Sequence, residues 1–97
     1  MVRADLSRGF LASQLVHAAG ETSPGGLPDG TYAIVLAVPD IRGLLDVRAA
    51  LADAEIPYKL ICEPDSPHNG APTALGLVPT TDRRAVRRVL GRLPLLK

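Results

Sequence analysis

An α/β sandwich is the fold class this chain predicts: one small domain in which three or four strands are covered by three helices. Three observations carry it. Apolar runs of strand length alternate with stretches of helical periodicity along the whole chain. Ser and Asp stand just ahead of the helical stretches, where helix caps belong. Prolines and glycines, nine of each, punctuate the segments between. The 97 residues hold one core, so residues 1–97 are read as a single domain, and a composition 46% hydrophobic and 22% charged is that of a globular chain.

Val2 to Leu6 reads as a short first strand. Ser7 then offers an N-cap to a helix over Gly9–Ala19, with Gly20 as its stop and Phe10, Leu11, Leu15 and Ala18 at inward spacing. Glu21 to Gly30 is a loop by its glycines and prolines. Thr31 to Val38 is a β-branched and apolar run without a charge, the pattern of a central strand buried on both faces. Asp40 caps a helix over Ile41–Ala54 with Leu44, Leu45, Val47 and Leu51 as its apolar set. Tyr58 to Cys62 follows as a strand, and strand–helix–strand order makes a parallel crossover the default connection. Glu63 to Gly70 is a polar loop. Ala71 to Val78 is a further strand, with Gly76 marking a bulge or a close packing contact. Thr80 and Asp82 start a last helix whose apolar side is Ala85, Val86, Val89, Leu90 and Leu93, ended by Pro94.

Several function classes are disfavoured at once. The longest uninterrupted apolar stretch, Ala33–Val38, is far too short to span a bilayer, and Met1–Asp5 lacks the apolar region of a secretory signal. The single cysteine, Cys62, forms no internal disulfide, so a reducing, cytoplasmic setting is expected. No nucleophile elbow, phosphate-binding loop or dinucleotide fingerprint is present. His17 and His68 do not share a metal-ligand spacing, so no metal is expected.

Charge is unevenly placed. Residues 1–82 carry five basic and ten acidic side chains, whereas residues 83–97 carry six basic ones and no acid. Arg83 with Arg87, and Arg84 with Arg88, are four apart and form two neighbouring cationic stripes on the last helix. Such an end suits an anionic partner, nucleic acid being the common one; the plainer reading is a solvated cationic face. Three aromatics, Phe10, Tyr32 and Tyr58, are too scattered for a base-stacking platform.

Two groups of residues are candidates for chemistry. Gln14, His17 and Glu21 are spaced three and four apart and share one helix face, where a histidine beside a carboxylate suits general-base work. The alternative is a boundary histidine filling the helix–sheet margin. The second group is Glu63, Asp65, His68 and Asn69 at the carboxyl end of a strand, where ligands of open α/β sheets gather. Two carboxylates this close can share one raised pKa; the alternative is ordinary turn chemistry around Pro64, Pro67 and Asn69-Gly70.

Three segments in order resemble a known family. Arg3-Ala4-Asp5-Leu6 leads into Gln14-Leu15-Val16-His17-Ala18, and Tyr32–Asp40 forms the next block. Glu63-Pro64-Asp65, Asn69-Gly70, Thr73-Ala74-Leu75-Gly76 and the leucine-rich Leu93–Leu96 complete the set. The arrangement resembles the type II peptidyl-tRNA hydrolases, in particular their short bacterial relatives, over nearly the whole chain. The resemblance implies a four-stranded mixed sheet with helices on both faces, a homodimer, no cofactor, and hydrolysis of the ester joining a peptide to the 3′ end of tRNA. By the same resemblance Asp5, Gln14, His17, an acid at the strand end (Glu63, or Asp65 as its neighbour) and Thr73 are the matching positions. In an enzyme built on them, His17 or a carboxylate from Glu63 and Asp65 would be the catalytic base, with Thr73 or Asn69 at the oxyanion; Asp5, Gln14, Glu21 and Asn69 would contact the substrate, and Arg83, Arg84, Arg87 and Arg88 would hold tRNA phosphates. The chain departs from the family in having Gly9-Phe10-Leu11 where better-known members have a lysine-rich turn, its first lysine being Lys59. A catalytically silent, homodimeric tRNA- or protein-binding module on the same fold is therefore the alternative expectation.

Overall fold

A computed structural model describes residues 1–97 and resolves seven elements: β1 (Val2–Arg3), α1 (Arg8–Thr22), β2 (Ala37–Val38), α2 (Ile41–Asp53), β3 (Tyr58–Glu63), β4 (Ala71–Leu77) and α3 (Arg83–Leu90). The strands form one mixed sheet in the order β2-β1-β4-β3. β1 and β2 are parallel, and β4 is antiparallel to both its neighbours, β1 and β3. α1 packs on one face, against β1, β3 and β4; α2 covers the other face, and α3 packs on α2. The sheet, with helices on both faces, is the α/β architecture expected.

The helices begin where the sequence places their caps. Asp40 Oδ1 accepts from the Gly43 N–H at 3.0 Å, and Asp82 Oδ1 accepts from the Ala85 N–H at 3.1 Å. Ser7 occupies the N-cap of α1 but its hydroxyl makes no cap bond; its carbonyl alone receives the Leu11 N–H. α1 does not stop at Gly20. Glycine ends a helix by turning left-handed, and Gly20 keeps a negative φ, so the helix continues to Thr22.

Three strand expectations are corrected. The first strand ends at Arg3, since residues from Ala4 turn toward α1. The run Thr31–Val38 yields only Ala37–Val38, and β2 lies at the sheet edge, not its centre. Pairing partners limit it: β1 supplies two residues beside it, and the tail Pro94–Leu96 lies along its other side. The crossover through α2 does join strands of the same direction, but it passes over β1 and β4, so β2 and β3 are not neighbours.

Two apolar clusters fill the two faces. Val38, Leu44, Val47, Leu51, Leu75 and Leu90 form the one under α2 and α3. Val2, Ala18, Ile61 and Ala74 form the smaller one under α1, with Leu11 and Leu15 packed at its margin. Gly76 is a close packing contact and not a bulge: a Cβ there would stand 2.7 Å from Thr22 Cγ2 and 3.0 Å from the Ala18 carbonyl. Its missing side chain lets α1 settle on β4.

Candidate functional site

A bulge in β4 builds the site. Along the β3–β4 ladder Ile61 pairs with Ala74, but Cys62 pairs with Pro72, so Thr73 is the residue left over. Strict alternation would send Thr73 to the same face as Leu75, under α2. The extra residue re-aims it toward α1. Its hydroxyl donates to Gln14 Oε1 at 2.5 Å and lies 3.3 Å from the Ile61 carbonyl oxygen across the ladder.

Gln14 is 3% exposed and Thr73 fully buried, the only polar residues in the core. A carboxylate cannot donate, so the amide of Gln14 has one orientation that satisfies both neighbours: its oxygen toward Thr73 and its nitrogen toward Glu63. Gln14 Nε2 reaches Glu63 Oε2 at 3.3 Å and Ser13 Oγ at 3.4 Å. The other oxygen, Glu63 Oε1, accepts the Asp65 N–H at 3.2 Å. Glu63 is the last residue of β3 and only half-buried, so a fixed carboxylate stands at the rim of the sheet with solvent beside it.

The loop beyond it is tied down. The His68 and Asn69 N–H groups both donate to the Asp65 carbonyl, and the Gly70 N–H donates to the Glu63 carbonyl at 2.6 Å. Asn69 takes the left-handed conformation, φ 50°, that closes the turn before Gly70. The His68 ring stacks on Phe10 of α1, ring centres 4.4 Å apart and planes within 5°. Asp5 lies close by: Arg3 holds its carboxylate through two hydrogen bonds, of 3.0 and 2.9 Å, and keeps its pKa below the ordinary aspartate value. Arg3 also donates to the Pro72 carbonyl, beside the bulge.

The sequence-derived site therefore divides. Gln14, Glu63 and Thr73 converge, Asp65 joins them through its backbone, and Asn69 shapes the loop. His17 and Glu21 do not join. One turn further along α1, His17 Nε2 stands 3.8 Å from Glu21 Oε1, and Glu21 also meets Lys59 at 3.7 Å, all on the surface. Gln14 and His17 share a helix, but the amide points inward and the imidazole outward. Thr73 spends its proton on Gln14, and it touches no solvent. The arginines of α3 are exposed and make no ion pair, and they border an open cradle of about 440 Å³ lined by Arg83, Arg84, Arg87 and Arg88 alone. That cradle is across the sheet from Gln14. His68 and Asp5 are candidates by sequence, but their partners Phe10 and Arg3 are not, since neither ring stacking nor a side-chain clamp leaves a mark in sequence. No group of histidine, cysteine and acidic side chains is arranged to hold a metal ion, and no helix is long and apolar enough to cross a membrane. Compared with known proteins, the chain matches no family model and no curated sequence.

Proposed function

We propose that this protein hydrolyses the ester between a peptide, or an N-blocked amino acid, and the 3′ end of tRNA, on a type II peptidyl-tRNA hydrolase-like fold. The observation that carries the reading is the Thr73–Gln14–Glu63 relay, which fixes a carboxylate at the strand end where a substrate can meet it. In this reading Glu63 is the general base. It takes a proton from water as the oxygen attacks the ester carbonyl, the carbonyl–ribose bond breaks, and the proton passes to the departing ribose oxygen. Gln14 and Thr73 are positioning residues, and His68 and Asn69 line the approach. Arg83, Arg84, Arg87 and Arg88 bind tRNA phosphates without regard to sequence. Work on tRNA belongs in the cytoplasm.

The test is single-turnover hydrolysis of a labelled N-blocked aminoacyl-tRNA. Glu63→Gln keeps the hydrogen bond to Gln14 possible but removes the base, and turnover should fall by 100-fold or more. His17→Ala should leave turnover within about twofold. Replacing the four arginines by glutamine should weaken tRNA binding and flatten its salt dependence by up to about 0.9 log units per arginine removed, with little change in the chemical step. Equal loss in Glu63→Gln and His17→Ala would overturn the assignment of Glu63.

One observation favours the second reading, a silent tRNA-binding module: the arginine cradle and the Glu63 rim are on opposite faces of the sheet. Salt-sensitive tRNA binding with intact ester would select it.

A further inference from the structure

β3 is an edge strand: β4 pairs with it on one side and no strand lies along the other. The Glu63 carbonyl accepts the Gly70 N–H, and the Ile61 carbonyl oxygen lies 3.3 Å from Thr73 Oγ1, so both residues turn their backbone groups toward β4. Successive residues of a strand alternate, so Leu60 and Cys62 turn theirs outward. The N–H and carbonyl groups of these two residues have no protein partner. The charge that commonly guards such an edge, Lys59, is drawn aside, its ammonium 3.7 Å from Glu21 Oε2 on α1. This open ladder runs directly to Glu63, whose carboxylate Gln14 holds in place. The residue after it, Pro64, has no N–H to donate.

The geometry points to the β3 edge as the binding site for the peptidyl part of the substrate: an extended chain that joins the sheet parallel to β3, with its ester end at Glu63. The direction rests on the proposed function, because only a parallel chain brings its carboxyl end to that carboxylate. In a parallel ladder the residue opposite position i donates to the carbonyl of i−1 and accepts from the N–H of i+1. The peptide residue opposite Ile61 therefore bonds the Leu60 carbonyl and the Cys62 N–H. The residue two further on, opposite Glu63, donates to the Cys62 carbonyl. Its own carbonyl would need an N–H at Pro64, which has none. The ladder thus stops at the acyl carbonyl and leaves it free for attack beside the general base. Neighbouring strands lie about 4.8 Å apart, a spacing that one water can bridge. Main-chain bonds do not read side chains, so the edge accepts peptides with little regard to sequence, and longer peptides make more of the bonds than a single N-blocked residue does.

The experiment is amide hydrogen exchange of the full chain, read by NMR, with N-acetylated penta-alanine amide as the probe. Its fifth, third and first residues would stand opposite Glu63, Ile61 and Lys59. At saturating peptide the Leu60 and Cys62 amides should exchange at least about threefold more slowly, while Ile61, which faces β4, should not change. N-methylation of the third or the fifth alanine should abolish the protection. N-methylation of the fourth, whose N–H faces away from β3, should preserve it. Absence of protection overturns the inference, and equal loss with all three methylated peptides overturns the register. Protection that grows with protein concentration in the absence of peptide places a second copy on the edge and overturns it as well. Hydrolysis assays separate this site from the proposed function: kcat/KM should rise at least about threefold from an N-acetylated single residue to an N-acetylated pentapeptide on the same tRNA. Protection without ester cleavage overturns the hydrolase and leaves the peptide site standing. Cleavage with neither protection nor length dependence overturns the peptide site alone.

Discussion

The two faces of the sheet divide the work of this domain. Under α2 and α3 the buried side chains are large and wholly apolar: Leu44, Leu51, Leu75 and Leu90 with two valines. Under α1 they are fewer and include two alanines, Val2, Ala18, Ile61 and Ala74, and share the space with Gln14 and Thr73. The difference follows from distance. Gly76 lets α1 approach until backbone meets side chain, so that face has little volume to bury and little cohesion to gain from it. A buried amide costs stability unless both its ends are satisfied. It is tolerated where the opposite face supplies the apolar burial and where Thr73 and Glu63 satisfy both ends.

The largest effect that separates the faces is expected at Leu44, which is fully buried. Leu44→Ala should lower unfolding free energy by about 2–5 kcal/mol, read from urea unfolding, through lost transfer energy and the cavity left behind. The Glu63 rim lies on the other face, so under the proposed function the folded fraction should hydrolyse ester at the same rate as the unsubstituted chain. A loss of kcat in folded protein would show that the faces are coupled.

Thr73→Val is the matching change on the α1 face and should cost about 1–3 kcal/mol, since it leaves Gln14 Oε1 buried without a donor. Unlike Leu44→Ala it should also lower kcat, because Gln14 is then free to turn and Glu63 loses its orientation. Adding Gln14→Leu removes the orphaned oxygen. The double variant should thus be less destabilised than the two single costs added together, by 0.5 kcal/mol or more. Strict additivity would mean that Thr73 and Gln14 do not act as one unit.

This division explains what was legible in the sequence. The α2–α3 face was read nearly whole, since Leu44, Val47, Leu51, Val86 and Leu90 recur at helical spacing and Asp40 and Asp82 cap by local chemistry. The α1 face was legible as residues and not as geometry. Gln14, Glu63 and Thr73 were named, but what joins them is a one-residue slip in the β3–β4 ladder, a property of two strands pairing and of neither alone. His17 was misplaced beside them because helical spacing says which residues are neighbours and not which of them turns inward. Thr31–Val38 was overextended for a related reason: strand propensity describes a willingness to pair, and the neighbouring chain supplies partners for only its second half.

The smallest effect is expected at Asp5, and it assigns acid sensitivity to one face. Arg3 grips both oxygens of Asp5 while its third donor reaches Pro72, fastening the end of β1 beside the bulge. Hydrogen bonding from Arg3 lowers the Asp5 pKa in the folded state, so folding favours the ionised form. The stabilisation is complete above the unfolded value near about 3.9 and is lost as pH falls through the lower folded value. The pair is partly exposed and screened, which limits it to about 0.2–1 kcal/mol. Asp5→Asn should therefore be slightly less stable than wild type at pH 7, and the two urea midpoints should converge below about pH 3.9. The gap made by Leu44→Ala, which involves no titrating group, should stay constant over the same range. If the Asp5→Asn gap is equally constant, the Arg3–Asp5 pair is positional and contributes no charge-dependent stability to the α1 face.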